Sequence, residues 1–243
     1  MERRLTIGAA LVLAVNVGAS GQTFEVASIK AAPPPTGDGV HIRMSVDAAR
    51  LSYTNVSLRD IIKEAYRVQD DQIIGPEWIG IDRFDIVARI PEGVRLDRVP
   101  QMLQQLLAER FGLALHRETK ALARYSLSAG KNRAKLQKAE KANGLNSDTG
   151  RLCNHVNGQE TMLEFTDFLS KRLGRPVVDN TGLDGAFKIH MEWAPEDSAI
   201  DGAACGPSLV TALQEQLGLK LNADKGPVEI LVIDHVDRKP TDN

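Results

Sequence analysis

The sequence predicts an α+β protein built from two tandem copies of a small β-α-β-α-β-β unit, with helices packed on mostly antiparallel sheets. Three observations predict it. Apolar residues recur at helical spacing in Leu58, Ile61, Ile62, Ala65 and Tyr66, and again in Met162, Phe165, Leu169 and Leu173. Period-two alternation in Phe84, Ile86, Ala88 and Ile90 returns in Phe187, Ile189, Met191 and Trp193. Glycines stand where three of the helical stripes run out, at Gly112, Gly174 and Gly218.

Residues 1–21 read as a signal peptide. Arg3 and Arg4 precede an apolar run from Leu5 to about Val17, which is short for a membrane-spanning helix, and small residues follow at Gly18, Ala19, Ser20 and Gly21. No cysteine stands there to accept a lipid. The expected product is periplasmic or secreted, with no stable membrane insertion after cleavage; an uncleaved anchor is the alternative.

Residues 22–130 form the first expected unit with its N-terminal strand. Phe24 to Ile29 reads as a short strand ended by Pro33, Pro34 and Pro35. His41 to Val46 and then Leu51 with Tyr53 read as a hairpin turning near Asp47. Ser57, with Asp60 three residues on, is a capping box for the first helix. Gly75, Pro76 and Gly80 mark turns before the strand that begins at Phe84. The second helix starts near Pro100, turns Met102, Leu103, Leu106, Leu107 and Phe111 inward, and stops at Gly112. Two short strands, Leu113 to Arg117 and Arg124 to Ala129, close the unit.

Residues 131–150 hold almost no large apolar side chain and read as a linker. Its cluster of Lys131, Arg133, Lys135, Lys138 and Lys141 has no interleaved aromatics, so a solvated connector is favoured over a nucleic-acid arm. Residues 151–238 form the second expected unit and 239–243 a tail. Arg151 and Leu152 echo Arg50 and Leu51, Thr161 and Glu164 make a second capping box, and Val177 and Val178 match Ile73 and Ile74. Leu122 to Leu127 align with Val228 to Ile233 without a gap.

With 30 basic and 32 acidic residues, the formal net charge of -2 gives no field that would draw the chain to nucleic acid. Cys153 and Cys205 are the only cysteines and permit one disulfide in an exported chain, although two buried thiols fit the spacing as well.

No local motif identifies a catalytic centre. The five histidines, among them His41 and His235, show no zinc spacing, so no metal is expected, and no phosphate-cradling glycine loop or nucleophile elbow is present. No cofactor is expected. His190 and Glu192 share one strand face, read as solvated or as an acid-base pair. Asp179, with Thr181, Gly182, Asp184 and Gly185, reads as turn chemistry or as a ligand cradle. Trp78 and Trp193 read as core or as a stacking surface. Trp78, Asp179, His190, Glu192 and Trp193 are therefore the candidate binding residues.

Several blocks carry a family resemblance: Phe24-Glu25-Val26-Ala27-Ser28-Ile29-Lys30, Asn55-Val56-Ser57-Leu58-Arg59-Asp60, Gly75-Pro76-Glu77-Trp78, Leu107-Ala108-Glu109-Arg110-Phe111 and Thr211-Ala212-Leu213-Gln214-Glu215 among them. In these the chain resembles a family of exported proteins of unknown function expanded in soil-dwelling bacteria. That resemblance implies an extracytoplasmic location and, in some relatives, attachment to a membrane metallopeptidase of the antibiotic-sensing type; it brings no reaction and no catalytic residue. Phe165 through Val236 is similar, in order of elements, to the short N-terminal domain of secretins and TonB-dependent transporters, which implies an interaction module of the cell envelope.

The expected function is thus an exported, non-catalytic module that binds a protein or peptide partner at an exposed sheet edge. The rival readings are a periplasmic hydrolase with a dispersed site drawn from His116, His190, Glu192 or Asp179, and a sensor for a small ligand held between the halves.

Overall fold

The computed structural model describes residues 23–33, 41–130, 135–150, 153–195 and 206–241. The signal-peptide segment, Cys205, and Arg151 with Leu152 lie outside the described residues. Among those described, four α-helices pack with three four-stranded sheets, mostly antiparallel, and no helix is long and apolar enough to cross a membrane.

The first outer sheet contains β1 (Val26–Ala31), β2 (Arg43–Val46), β3 (Arg50–Ser57) and β5 (Arg83–Arg89), in the order β1-β5-β3-β2. Leu51, Tyr53, Val56, Phe84, Ile86 and Ala88 point from it into the core. A register shift between Tyr53 and Val56 places Asn55 at φ 59°, a left-handed value that Asn tolerates better than most residues, and its N–H is held by Asp85 at 2.8 Å. That irregularity leads the chain into α1 (Leu58–Tyr66), where Ser57 and Asp60 form both arms of the expected capping box. After β4 (Ile73–Ile74) and β5, α2 (Val99–Phe111) closes the core and ends at Gly112, whose φ of 56° is the left-handed stop that glycine supplies without strain.

The two short strands expected after α2 are one strand, β6 (Ala114–Ala129). The polar run Glu118 to Lys120 looked like a break because it buries nothing. Its backbone is nevertheless paired with β12 (Leu219–His235), whose Val228 and Ile230 supply the buried side chains of this stretch. Pro227 lies inside β12, opposite Ala121, where β6 is the one neighbouring strand among the described residues, so a missing N–H costs no ladder bond to a described strand on the other edge.

The expected linker is also corrected. It supplies β7 (Gln137–Ala139) and β8 (Gly144–Thr149), both edge strands of the second outer sheet. Edge strands with exposed side chains carry little hydrophobic signal, which is why composition alone suggested a connector. That sheet has the order β7-β11-β9-β8, with β9 (Asn154–Thr161) and β11 (Ala186–Trp193) at its centre. Val156 stands opposite Met191 as Leu51 stands opposite Ala88.

Helix α3 (Met162–Leu173) follows β9, and β10 (Val177–Asn180) follows α3. Thr161 caps α3 by accepting from the Glu164 N–H, but the return arm comes from Glu160 instead of Glu164. Helix α4 (Leu209–Ala212) continues as a π turn to Leu217 and ends at Gly218, with φ 70°.

The third sheet draws strands from both halves in the order β10-β6-β12-β4. Strand β4 runs parallel to β12, pairing Ile73 with Leu231, and β10 runs parallel to β6, pairing Val177 with Tyr125. Each half thereby lends apolar side chains to the other: Leu231 is buried in the core of the first, Leu127 in the core of the second. The C-terminal segment does not hang free, because Asp237 and Thr241 donate backbone N–H groups to the carbonyls of Phe111 and Arg110 that end α2.

Candidate functional site

Strand β1 is the outer strand of its sheet, and its flank runs beside α2. Between them lies a groove of about 310 Å³. One wall is Phe24, Val26 and Ala27; the other is Met102, Leu106 and Glu109. Helix periodicity explains the second wall, since Met102 and Leu106 lie one turn apart on the face that α2 turns to the sheet. Val26 is 62% exposed, an unusual value for a valine in a sheet. At the rim, Glu25 pairs with Arg89 at 3.0 Å and Arg110 donates to the Thr241 carbonyl at 2.9 Å. An outer strand with no second strand neighbour among the described residues, beside an apolar helix wall, is the geometry that accepts an added strand.

The sequence-derived candidates occupy separate places. Trp78 is half-buried in a 3₁₀ turn, Glu77–Gly80, with the Arg238 guanidinium 6.0 Å from its ring; Arg238 is held by Asp82 at 2.6 and 3.0 Å. Asp179 makes a local turn, its Oδ1 accepting from the Thr181 N–H and hydroxyl at 2.9 and 2.8 Å. Trp193 is only 3% exposed and packs edge-on against Phe168 at 6.4 Å, so it offers core and not a stacking surface. His190 and Glu192 do share a strand face, but Glu192 bonds His155, its opposite residue on β9, at 3.1 Å. Cross-strand neighbours are closer than residues two apart along a strand, which decides that pairing.

His190 instead lines a polar groove of about 560 Å³ on the outer face of the second sheet, with Lys135, Lys188, Asn157 and Gln216. His116 lies on β6, bonded to Asp234 at 2.8 Å and Glu118 at 3.2 Å, hydrogen bonds that raise its pKa. Of the four residues considered for a hydrolase, His190 lines the polar groove, while His116, Glu192 and Asp179 each bond different partners.

Two groupings escaped the sequence. The first joins the halves: Arg67, the left-handed residue that ends α1 at φ 55°, donates to Glu164 at 2.8 Å and Asp167 at 3.3 Å, while Lys171 bonds Glu64 at 2.7 Å. A cavity of about 270 Å³ lies among these residues and Glu160. Burial disfavours the charged Arg67, yet Glu164 and Asp167 outweigh it and hold its pKa above the ordinary arginine value. Burial raises Asp167 despite its arginine neighbour, and raises Glu160, beside which Glu164 adds repulsion. Glu164 is available to Arg67 because Glu160 took over its capping arm. The second grouping is Cys153, His155 and Glu192, whose ligand atoms all lie within 4.8 Å of one another. Sequence spacing missed it because Glu192 arrives from another strand. Cys153 is disulfide-bonded.

No curated protein and no solved structure matches the chain. One family model does match, over residues 59–236, which spans α1 through β12 and takes in both groupings. The chain belongs to that family, described as Protein of unknown function (DUF3738).

Proposed function

We propose that the chain is an exported, non-catalytic interaction module, periplasmic or secreted, that receives an extended peptide segment of a protein partner along the outer edge of β1. The observation that carries this reading is the groove between β1 and α2, with Val26 exposed and Met102 and Leu106 on the opposing wall. Main-chain hydrogen bonds along the edge would supply affinity, and the helix wall would select alternate side chains of the incoming strand. The rival placement of a ligand between the halves has less support, since the charges that line that cavity are already paired with one another.

The same reading holds that the module arose as two copies of one unit. The two outer sheets share a strand order, and the pairs Ile73 with Leu231 and Val177 with Tyr125 are counterparts under the sequence alignment of the halves. Ala121 faces Pro227, its own counterpart in that alignment, as an approximate two-fold axis requires. The order of elements shared with the short domain of secretins supports an envelope setting.

Selection from a displayed library of unstructured peptides against the full chain tests the binding mode. Val26→Lys places a charge on the edge without disturbing buried contacts, since Val26 is exposed. Selected peptides should bind the variant at least about tenfold more weakly, roughly 1.4 kcal/mol. Equal binding to both proteins, or selection of no peptide, overturns the reading.

A further inference from the structure

Cys153 immediately precedes β9 and His155 is the second residue of that strand, so the two side chains share one face of the second outer sheet. Glu192 stands opposite His155 on β11, and Asp148 stands opposite it on β8, adding negative charge to the same face. One sulfur, one imidazole nitrogen and one carboxylate oxygen are thereby gathered within 4.8 Å of one another. Three atoms so placed share a centre no more than about 2.8 Å from each, so shifts under ~1 Å reach zinc bond lengths of ~2.0–2.3 Å. The cluster is half-exposed, which leaves a fourth position for water.

The sulfur is the obstacle. Cys153 is disulfide-bonded, and zinc binds a thiolate, not a disulfide sulfur. We propose that Cys153, His155 and Glu192 form a zinc-binding site that exists only in the thiol state of Cys153, so that zinc occupancy and the disulfide exclude each other. A dithiol reductant supplies two electrons and two protons to the disulfide, yielding two protein thiols and one oxidised dithiol. Zinc then displaces the Cys153 thiol proton to solvent and forms the Zn–S bond. His155 enters as neutral imidazole, and its contact with Glu192 is replaced by two bonds to the ion. This inference is independent of the peptide groove, which lies on the other outer sheet.

The test uses the full chain carrying Cys205→Ser, which removes the only other cysteine and leaves Cys153 as a thiol. Cobalt(II) is the probe. The expected result is one cobalt per chain, with a thiolate-to-cobalt charge-transfer band and the intense visible bands of a tetrahedral site, discharged by added zinc. Cys153→Ser should abolish the bands, and His155→Ala and Glu192→Ala should each weaken binding at least about tenfold. Oxidised wild type should show none of them. If circular dichroism shows that Cys205→Ser does not fold, reduced wild type gives the same reading. Absence of the thiolate band in the folded thiol protein, equal binding by oxidised wild type, or unchanged binding in both the histidine and glutamate variants overturns the proposal.

Discussion

The Arg67 guanidinium lies 2.8 Å from the Glu164 carboxylate, a bond that ties the C-capping residue of one half's helix to the first turn of the other's. Arg67 also carries the left-handed conformation at φ 55° that a glycine would adopt without cost. Two effects therefore compete at one position. Arg67→Ala should destabilise the protein by about 1 kcal/mol, from the lost pairs discounted for solvent screening, since alanine keeps the left-handed strain that arginine already bears. Arg67→Gly should be about 1 kcal/mol less damaging than Arg67→Ala, because both lose the pairs and glycine alone relieves the left-handed strain. Urea denaturation of both variants and wild type measures the difference, and a double-mutant cycle with Glu164→Gln isolates the pair.

Stability should respond to acid through Glu160. Burial raises its folded pKa above the unfolded value, so the folded chain holds this proton more tightly. Its contribution is unfavourable at neutral pH and is relieved as pH falls through the folded pKa toward the ordinary carboxylate range. The melting temperature of wild type should rise relative to Glu160→Gln over that window. Asp82 has the opposite sign: the hydrogen bond from Arg238 lowers its pKa, so its contribution is present above the unfolded value and fades as pH drops. Melting curves of wild type, Glu160→Gln and Asp82→Asn across mildly acid pH separate the two.

Gly158 is required by close approach. A Cβ there would stand 2.1 Å from the Gly144 carbonyl oxygen on the neighbouring strand β8. Gly158→Ala must push β8 from β9 and should cost about 3 kcal/mol, read by chemical denaturation. Hydrogen exchange should show the loss first in the amides of Gly144 to Thr149.

Asn154 is 1% exposed, and neither of its amide side-chain atoms has a hydrogen-bond partner. It faces the second core, opposite Trp193. Unpaired buried polar atoms cost roughly 1–3 kcal/mol, so Asn154→Leu, similar in size, should stabilise the protein by about 1 kcal/mol or more. A fall in melting temperature would show that the amide has a task not visible in its contacts.

Much of the local structure was legible because its causes are local. Ser57 with Asp60 announced the start of α1, and Gly112, Gly174 and Gly218 announced three helix ends, each at positive φ. Alternation in Phe84 to Ile90 and Phe187 to Trp193 identified both central strands and their buried faces. The Thr161 cap was read correctly only in part, since whether Glu164 returns to the cap or reaches Arg67 depends on a residue about a hundred positions away.

The sequence by itself thus determined the helices, the central strands and the apolar side of each, because propensity, capping and periodicity act over a few residues. Tertiary structure alone decided that β6 and β12 run unbroken against each other, that β4 and β10 cross to the opposite half, and that residues 137–149 are sheet edges. It also decided that Glu192 meets His155 and Cys153. Strand pairing joins backbone groups whose side chains carry almost no record of their partner, so register and neighbourhood emerge only when the whole chain is packed.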